Sequence, residues 1–167
     1  MELRDIIARV QQTFSSAVVS TTLEGPFLFV QVKPASLKEV MSFCVHDASM
    51  KLDFLDSLTA VDDGQDITVI YQLFSTILAH RFNIKVSVSR HEAKFPSMTG
   101  FWRAANAYER EAAEMFGIKF DGHPALDRLL LPEDWQGHPL RKDYVFPEEY
   151  KGVEHRRTPL RKEHARP

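Results

Sequence analysis

Six of the nine prolines in this 167-residue chain lie at position 124 or later. Proline lacks a backbone N–H and fixes φ, so it interrupts helix interiors and sheet ladders alike. Before Gly122 the apolar residues recur at helix and strand spacings; beyond it the periodicity stops. The contrast predicts an α+β domain over residues 1–121 and an extended, proline-rich C-terminal tail over 122–167. Residues 151–167 carry only Val153, Leu160 and Ala165 as apolar side chains, too few to bury a core of their own.

Within the first region, Leu3, Ile6, Ile7, Val10 and Phe14 repeat at helical spacing, which predicts a helix over 2–14. Strands are expected at 17–22 and 27–32, parted by Glu24-Gly25-Pro26. Ser36-Leu37-Lys38-Glu39 fits a capping box and opens a second helix, with Leu37, Val40, Met41 and Cys44 on its inner face. Strands at 51–61 and 67–74 flank Asp62-Asp63-Gly64-Gln65-Asp66, a hairpin turn by composition. Phe82, Ile84, Val86 and Val88 alternate with Asn83, Lys85 and Ser87, so one set faces a core and the other faces water. One wet face and short connections predict an antiparallel sheet with helices packed on its other face. A last helix over 101–116 stops at Gly117, a natural left-handed cap.

Charge and cysteine content exclude several function classes. The formal net charge is −2, so nothing global advertises nucleic acid. Residues 151–167 hold six Lys/Arg against two Glu, a local +4 that leaves −6 for the rest. No aromatics interleave those cations after Tyr150, which favours an acidic protein surface over single-stranded nucleic acid as their partner. One cysteine, Cys44, excludes an internal disulfide, a cysteine-based zinc site or an iron–sulfur cluster built by this chain alone. Apolar runs fall far short of the ~20 residues that span a bilayer. Met1-Glu2-Leu3-Arg4-Asp5 lacks a signal core, so a non-exported chain with a reduced thiol is expected.

Candidate chemistry is thin. Glu109, Arg110, Glu111 and Glu114 lie on the last predicted helix, where Glu109 and Glu111 point to different faces and Arg110 can pair with Glu114 at i,i+4. They read as packing or interface groups rather than an acid–base pair, which needs two carboxylates facing one cleft. His123 and His138 stand in proline-rich loops outside any metal-binding motif, and His123 fits a bond to a turn carbonyl. A metal-dependent hydrolase would have to draw on His123, His138 and Asp143. Walker, dinucleotide-binding and nucleophile-elbow motifs do not occur.

The densest pattern is Tyr108-Glu109-Arg110-Glu111-Ala112-Ala113-Glu114-Met115-Phe116-Gly117-Ile118-Lys119-Phe120-Asp121-Gly122-His123-Pro124-Ala125-Leu126. It continues through Arg128-Leu129-Leu130-Leu131-Pro132-Glu133-Asp134-Trp135 and Gly137-His138-Pro139-Leu140-Arg141-Lys142-Asp143-Tyr144. This stretch closely resembles the signature of the 30-kDa subunit family of respiratory complex I, the NADH:quinone oxidoreductase. Asp127 stands where that family more often has a basic residue, and Val145 follows Tyr144 where proline is frequent. The resemblance implies a peripheral-arm subunit without its own active site, on the cytoplasmic side of the membrane. It implies contact with the large quinone-site subunit and the iron–sulfur subunits, which carry NADH, flavin, iron–sulfur clusters and quinone. A membrane-bound hydrogenase or an F420-type quinone oxidoreductase contains an equivalent subunit. The residues so marked for partner contact are Glu109, Arg110, Glu111, Gly122, His123, Pro124, Arg128, Trp135, Gly137, Pro139, Arg141, Lys142, Asp143 and Tyr144. Within the tail, Arg141, Tyr144 and Phe146 are expected as anchors, with Arg156, Arg157, Arg161 and Lys162 as an electrostatic rim.

Overall fold

The computed structural model describes residues 3–24 and 27–155. The rim cations Arg156, Arg157, Arg161 and Lys162 lie outside the described residues. Five strands form the main sheet: β1 (Val18–Glu24), β2 (Phe27–Val32), β3 (Phe54–Asp62), β4 (Asp66–Phe74) and β5 (Arg81–Ser89), in the order β1-β2-β5-β4-β3. Helices α1 (Leu3–Thr13), α2 (Leu37–His46) and α3 (Ala105–Phe116) cover one face. Ile6 and Val10 of α1, Leu37, Val40, Met41 and Cys44 of α2, and Ala105 and Ala112 of α3 share one core with Val69, Tyr71, Phe82, Ile84 and Val86 of the sheet. The opposite face carries a polar ladder. Ser20 donates to Gln31 (3.1 Å), Gln31 donates to Ser87 (3.2 Å), and the Ser87 and Thr68 hydroxyls meet at 2.8 Å. The expected amphipathic sheet with one helical layer therefore stands. Cys44 is buried, and desolvation pushes its thiol far up, so it behaves as a small core residue.

The sheet is not wholly antiparallel. β2 pairs with β5 in parallel, Val30 opposite Ile84, while β1–β2, β3–β4 and β4–β5 are antiparallel. A parallel neighbour needs a long crossover, and the segment between these strands supplies one, made of α2 and the β3–β4 hairpin. The capping box is also not formed. Pro34 starts a short 3₁₀ turn (Pro34–Ser36), and Ser36 is drawn into helical backbone with no side-chain cap bond. β3 begins at Phe54 rather than 51, because Lys51 turns with φ 42°. Asn83 is buried rather than wet: its amide donates to the Leu28 carbonyl at 3.0 Å. Val88 is only half-buried.

Two short ladders were not legible in the pattern. β6 (Lys94–Pro96) and β7 (Lys119–Asp121) pair in parallel on either side of α3, with Phe95 and Phe120 buried. Gly117 ends α3 at φ 68°, as expected, and its N–H donates to Ala113. In the tail, β8 (Glu149–Tyr150) and β9 (Val153–Glu154) form a miniature hairpin, closed by Lys151 and Gly152 at φ 50° and 80°. That stretch is thus not uniformly extended.

One surface contact joins α1 to the end of α2. Arg9 donates through Nε and Nη2 to Asp47, the latter at 2.8 Å, and Ser49 also donates to that carboxylate. Together these bonds hold the Asp47 carboxyl down at about 2. A depressed carboxyl stabilises the fold above its unfolded value near ~4 and loses that contribution as pH falls towards 2. Carboxyl titration by NMR should find Asp47 near 2, and raised by at least about one unit in Arg9→Ala. An unmoved Asp47 would show that Ser49 alone sets the value.

Candidate partner-docking site

Helix α3 is the spine of the site. Its inner stripe includes Glu109, which is fully buried and accepts the Met98 N–H at 2.6 Å. Burial pushes the Glu109 carboxyl up from the usual range, against the pull of the Met98 N–H, the Ser97 hydroxyl and His123. It is a core residue holding the loop that precedes α3. Glu111 is exposed. Arg110 and Glu114 do not pair with each other as expected. Both turn to the backbone of the following segment, residues 122–147, hereafter the strap.

Arg110 donates from Nε to the Asp127 carbonyl and from Nη2 to the Arg128 carbonyl, both at 2.9 Å. Glu114 accepts three consecutive N–H groups, from Leu129 (3.2 Å), Leu130 (2.9 Å) and Leu131 (2.7 Å). One helix face thereby satisfies the donors and acceptors of a stretch with no regular structure. The Arg110 bond at Asp127 is to the carbonyl. The Asp127 side chain therefore takes no part in that bond.

The other signature residues extend the same attachment. Gly122 turns the chain at φ 82° and leaves Pro124 exposed. His123 accepts the Ala125 N–H on Nδ1, so Nε2 carries the proton and donates to the Asn106 carbonyl at 3.2 Å. A backbone carbonyl is its expected partner, and the one it meets belongs to the first turn of α3 rather than to a loop turn. Arg128 donates to the Pro132 and Trp135 carbonyls, at 3.1 and 2.6 Å. The His138 ring bonds the Glu114 carbonyl through Nδ1 at 2.8 Å and lies against Gly117, where a Cβ would meet it at 2.6 Å. Pro139 is half-buried beside it. The Leu140 N–H donates to Met115 (3.1 Å), and Arg141 Nε donates to Phe116 (2.6 Å), so the last carbonyls of α3 are capped from the strap. Gly137 (φ 79°) admits the Tyr144 ring, which a Cβ there would meet at 2.8 Å.

Beyond this the Lys142 N–H donates to Asp62 at 2.8 Å, and Asp143 pairs with Arg90. Trp135, Tyr144, Phe146 and Tyr150 pack as an aromatic group, with centroids 5.0–6.3 Å apart. Arg141 therefore anchors the strap to its own domain, while Tyr144 packs within the strap, against Gly137 and Phe146. Among the residues the strap turns outward are large apolar ones: Leu126, Leu129, Leu130, Leu140, Val145 and Phe146 are all exposed, Val145 by 84%, alongside charged residues such as Glu133, Asp134 and Asp143. A run of exposed apolar side chains on a fixed backbone marks a surface for protein contact.

The residues of a hydrolase site are not gathered. His123 and His138 bond separate backbone carbonyls, and Asp143 faces Arg90. Among the described residues no group of three His, Cys, Asp or Glu could hold a metal ion. Sequence reasoning missed Glu114 as a clamp, together with Asp62 and Arg90. Glu114 had a usable signal, since it shares the helix side of Arg110, next to the Gly117 cap. Asp62 had none, because an aspartate in a turn reads as solvated.

Residues 30–150 match the family model described as the respiratory-chain NADH dehydrogenase 30 Kd subunit. The chain is similar to the C-type subunit of the NADH-quinone oxidoreductase of Roseiflexus castenholzii, at 42% identity over 134 residues, 78% of this chain and 77% of that one. It is also similar to the matching subunit of the NADH-quinone oxidoreductase of Moorella thermoacetica, at 37% identity over 138 residues, 78% and 87% of the two chains. A solved structure of the trypsin-resistant fragment (1-134) of Nqo5 superposes with a TM-score of 0.64 at 26% identity, covering 75% of this chain and 99% of that one. A chain of the membrane-bound sulfane sulfur reductase, an archaeal respiratory membrane complex, shares the fold, with a TM-score of 0.72 at 19% identity and 85% of each chain covered.

If Glu114 is the clamp for 129–131, Glu114→Ala should raise hydrogen exchange at those three amides and cost about 3 kcal/mol in urea unfolding, since bonds to a charged acceptor are worth roughly 1.5–3 kcal/mol each and water recovers part of the loss. Glu114→Gln, which keeps one acceptor oxygen, should cost less. Unchanged exchange at 129–131 in Glu114→Ala would mean that the strap holds its shape without the clamp.

Proposed function

The chain belongs to the 30-kDa subunit family of respiratory-chain NADH dehydrogenase, and we propose that it serves an NADH:quinone oxidoreductase by assembly rather than by chemistry of its own. Its partners are the large quinone-site subunit and the iron–sulfur subunits of the peripheral arm. Those subunits hold NADH, flavin, iron–sulfur clusters and quinone. The complex sits at the membrane with this chain on the cytoplasmic side, attached through its partners. No helix among the described residues is long and apolar enough to cross a bilayer.

The observation that carries this reading is the strap. Its backbone groups are satisfied inward by Arg110, Glu114 and the end of α3, while Leu129, Leu130, Leu140 and Val145 face outward. Such a segment contributes little to its own domain's core and offers a preformed apolar ridge to another surface. The domain boundary after residue 121 belongs to the same proposal. The residues buried in the main core end at Phe120.

Leu130→Asp combined with Leu140→Asp should leave unfolding within about 0.5 kcal/mol of wild type, because both side chains are solvated in the free chain. The same variant should fail to join the arm on native gels, and NADH:quinone turnover should fall in step with the missing complex. Full assembly with turnover abolished would instead place an active site in this chain. A chain cut after residue 121 should keep its circular dichroism signature and also fail to assemble. Unfolding of the cut chain would move the boundary into the strap.

A further inference from the structure

We propose that Asp62 and Arg90, which lie outside the strap, are positioning residues that latch it into a single shape before a partner arrives. Resting on the docking role given above, the latch accounts for how the outward ridge is held in register at its far end.

The geometry comes from three parts of the fold meeting at one end of the sheet. Asp62 closes β3 and is only 3% exposed. Its Oδ1 accepts the Gly64 N–H at 2.9 Å, which shapes the β3–β4 turn. Its Oδ2 accepts the Lys142 N–H at 2.8 Å and lies 3.1 Å from Arg90 Nη2. Arg90 leaves β5, and its own N–H donates to Gln65 in the same turn at 3.0 Å. The same Nη2 reaches outward to Asp143.

The two acids are not equivalent. The Asp62 side chain is fully buried, Arg90 is 14% exposed, and Asp143 is 68% exposed. The inner pair is built by the sheet and its turn alone. The Lys142 amide and the Asp143 carboxylate arrive only with the strap. A buried carboxylate demands every hydrogen bond it can get, so a socket already holding Arg90 gains from the added amide. Burial works to raise the Asp62 carboxyl. The Lys142 and Gly64 N–H groups and the Arg90 and Arg141 cations outweigh it and hold the group below the usual range. Leu140 and Val145, both exposed, flank the latched residues on either side. Releasing the latch would leave the ridge fixed at 127–131 by α3 and loose beyond Arg141. Apparent affinity then falls by the fraction of chains that still present the whole ridge in the right shape.

The test uses the full chain with Asp62→Ala, Asp62→Asn and Arg90→Met, and reads two quantities. The first is hydrogen exchange of the free chain. In Asp62→Ala the amides of 142–146 should exchange at least about tenfold faster while those of β4 and β5 stay protected. Asp62→Asn, which keeps an acceptor for the Lys142 amide, should lie between. The second is the rate of joining a peripheral arm depleted of this chain, which should fall about tenfold for Asp62→Ala and Arg90→Met if a tenth of the chains remain competent. Unchanged exchange at 142–146 overturns the latch whether or not the arm binds. Faster exchange with an unchanged joining rate overturns the presetting role. Loss of protection throughout β4 and β5 makes Asp62 a fold residue and also overturns it. If the wild-type chain does not join the arm, the docking function fails by itself, and exchange still decides the latch.

Discussion

Glu114 offers one carboxylate to three successive backbone N–H groups, and the strap's path depends on that grip. A segment outside helix and sheet must satisfy each peptide group by water or by a side chain. Proline thins the number of donors, and α3 serves those that remain. Arg110 takes two carbonyls and Glu114 takes three amides, so one helix side carries both signs. Had the two paired with each other, as i,i+4 neighbours often do, the strap would have lost five hydrogen bonds at its root.

The topology of the sheet explains where the strap can be fastened next. β3 and β5 both run antiparallel to β4, so they point the same way, and both finish at the edge where the β3–β4 turn lies. Asp62 and Arg90 are the residues that these two strands deliver there. The strap leaves the end of α3 at Phe116, crosses to that edge and meets both. An ion pair placed on a wet surface would contribute little. With Asp62 buried, the same pair constrains the chain strongly, because removing Arg90 takes away the ion-pair partner of a carboxylate that water cannot reach.

Much of this was legible in the residues. The helical stripe of Ile6 and Val10, the alternation of Phe82, Ile84 and Val86, and the Gly117 cap each follow from one short-range rule, and each appears where that rule puts it. The signature around Glu109 to Tyr144 pointed to the right family because it is long and specific. What escaped notice depends on contacts distant in sequence. The parallel pairing of β2 with β5 is chosen by the packing of α2 and a hairpin, not by either strand. Asn83 looks wet until the Leu28 carbonyl is beside it. Ser36 had the composition of a cap, but Pro34 began the turn earlier and removed its geometry. Arg141 and Tyr144 looked like free anchors, since nothing local reveals the Phe116 carbonyl or the space over Gly137.

The parallel register of Val30 with Ile84 also fixes an order of events at the ribosome. β2 emerges early but has only β1 to pair with until β5 has left the exit tunnel. The hairpin β3–β4 can form meanwhile, with the β4 edge that β5 later covers still open, and open edges invite pairing with other chains. Synthesis of residues 81–89 closes the sheet, and the Asp62 carboxylate then waits with Arg90 for about fifty further residues before its last donor is made. A nascent chain therefore carries a finished sheet and an incomplete socket for several seconds at ordinary elongation speeds of about 5–20 residues per second. The outward apolar side chains are therefore set in place only after the sheet has closed, so a copy that lacks its strap also lacks that surface.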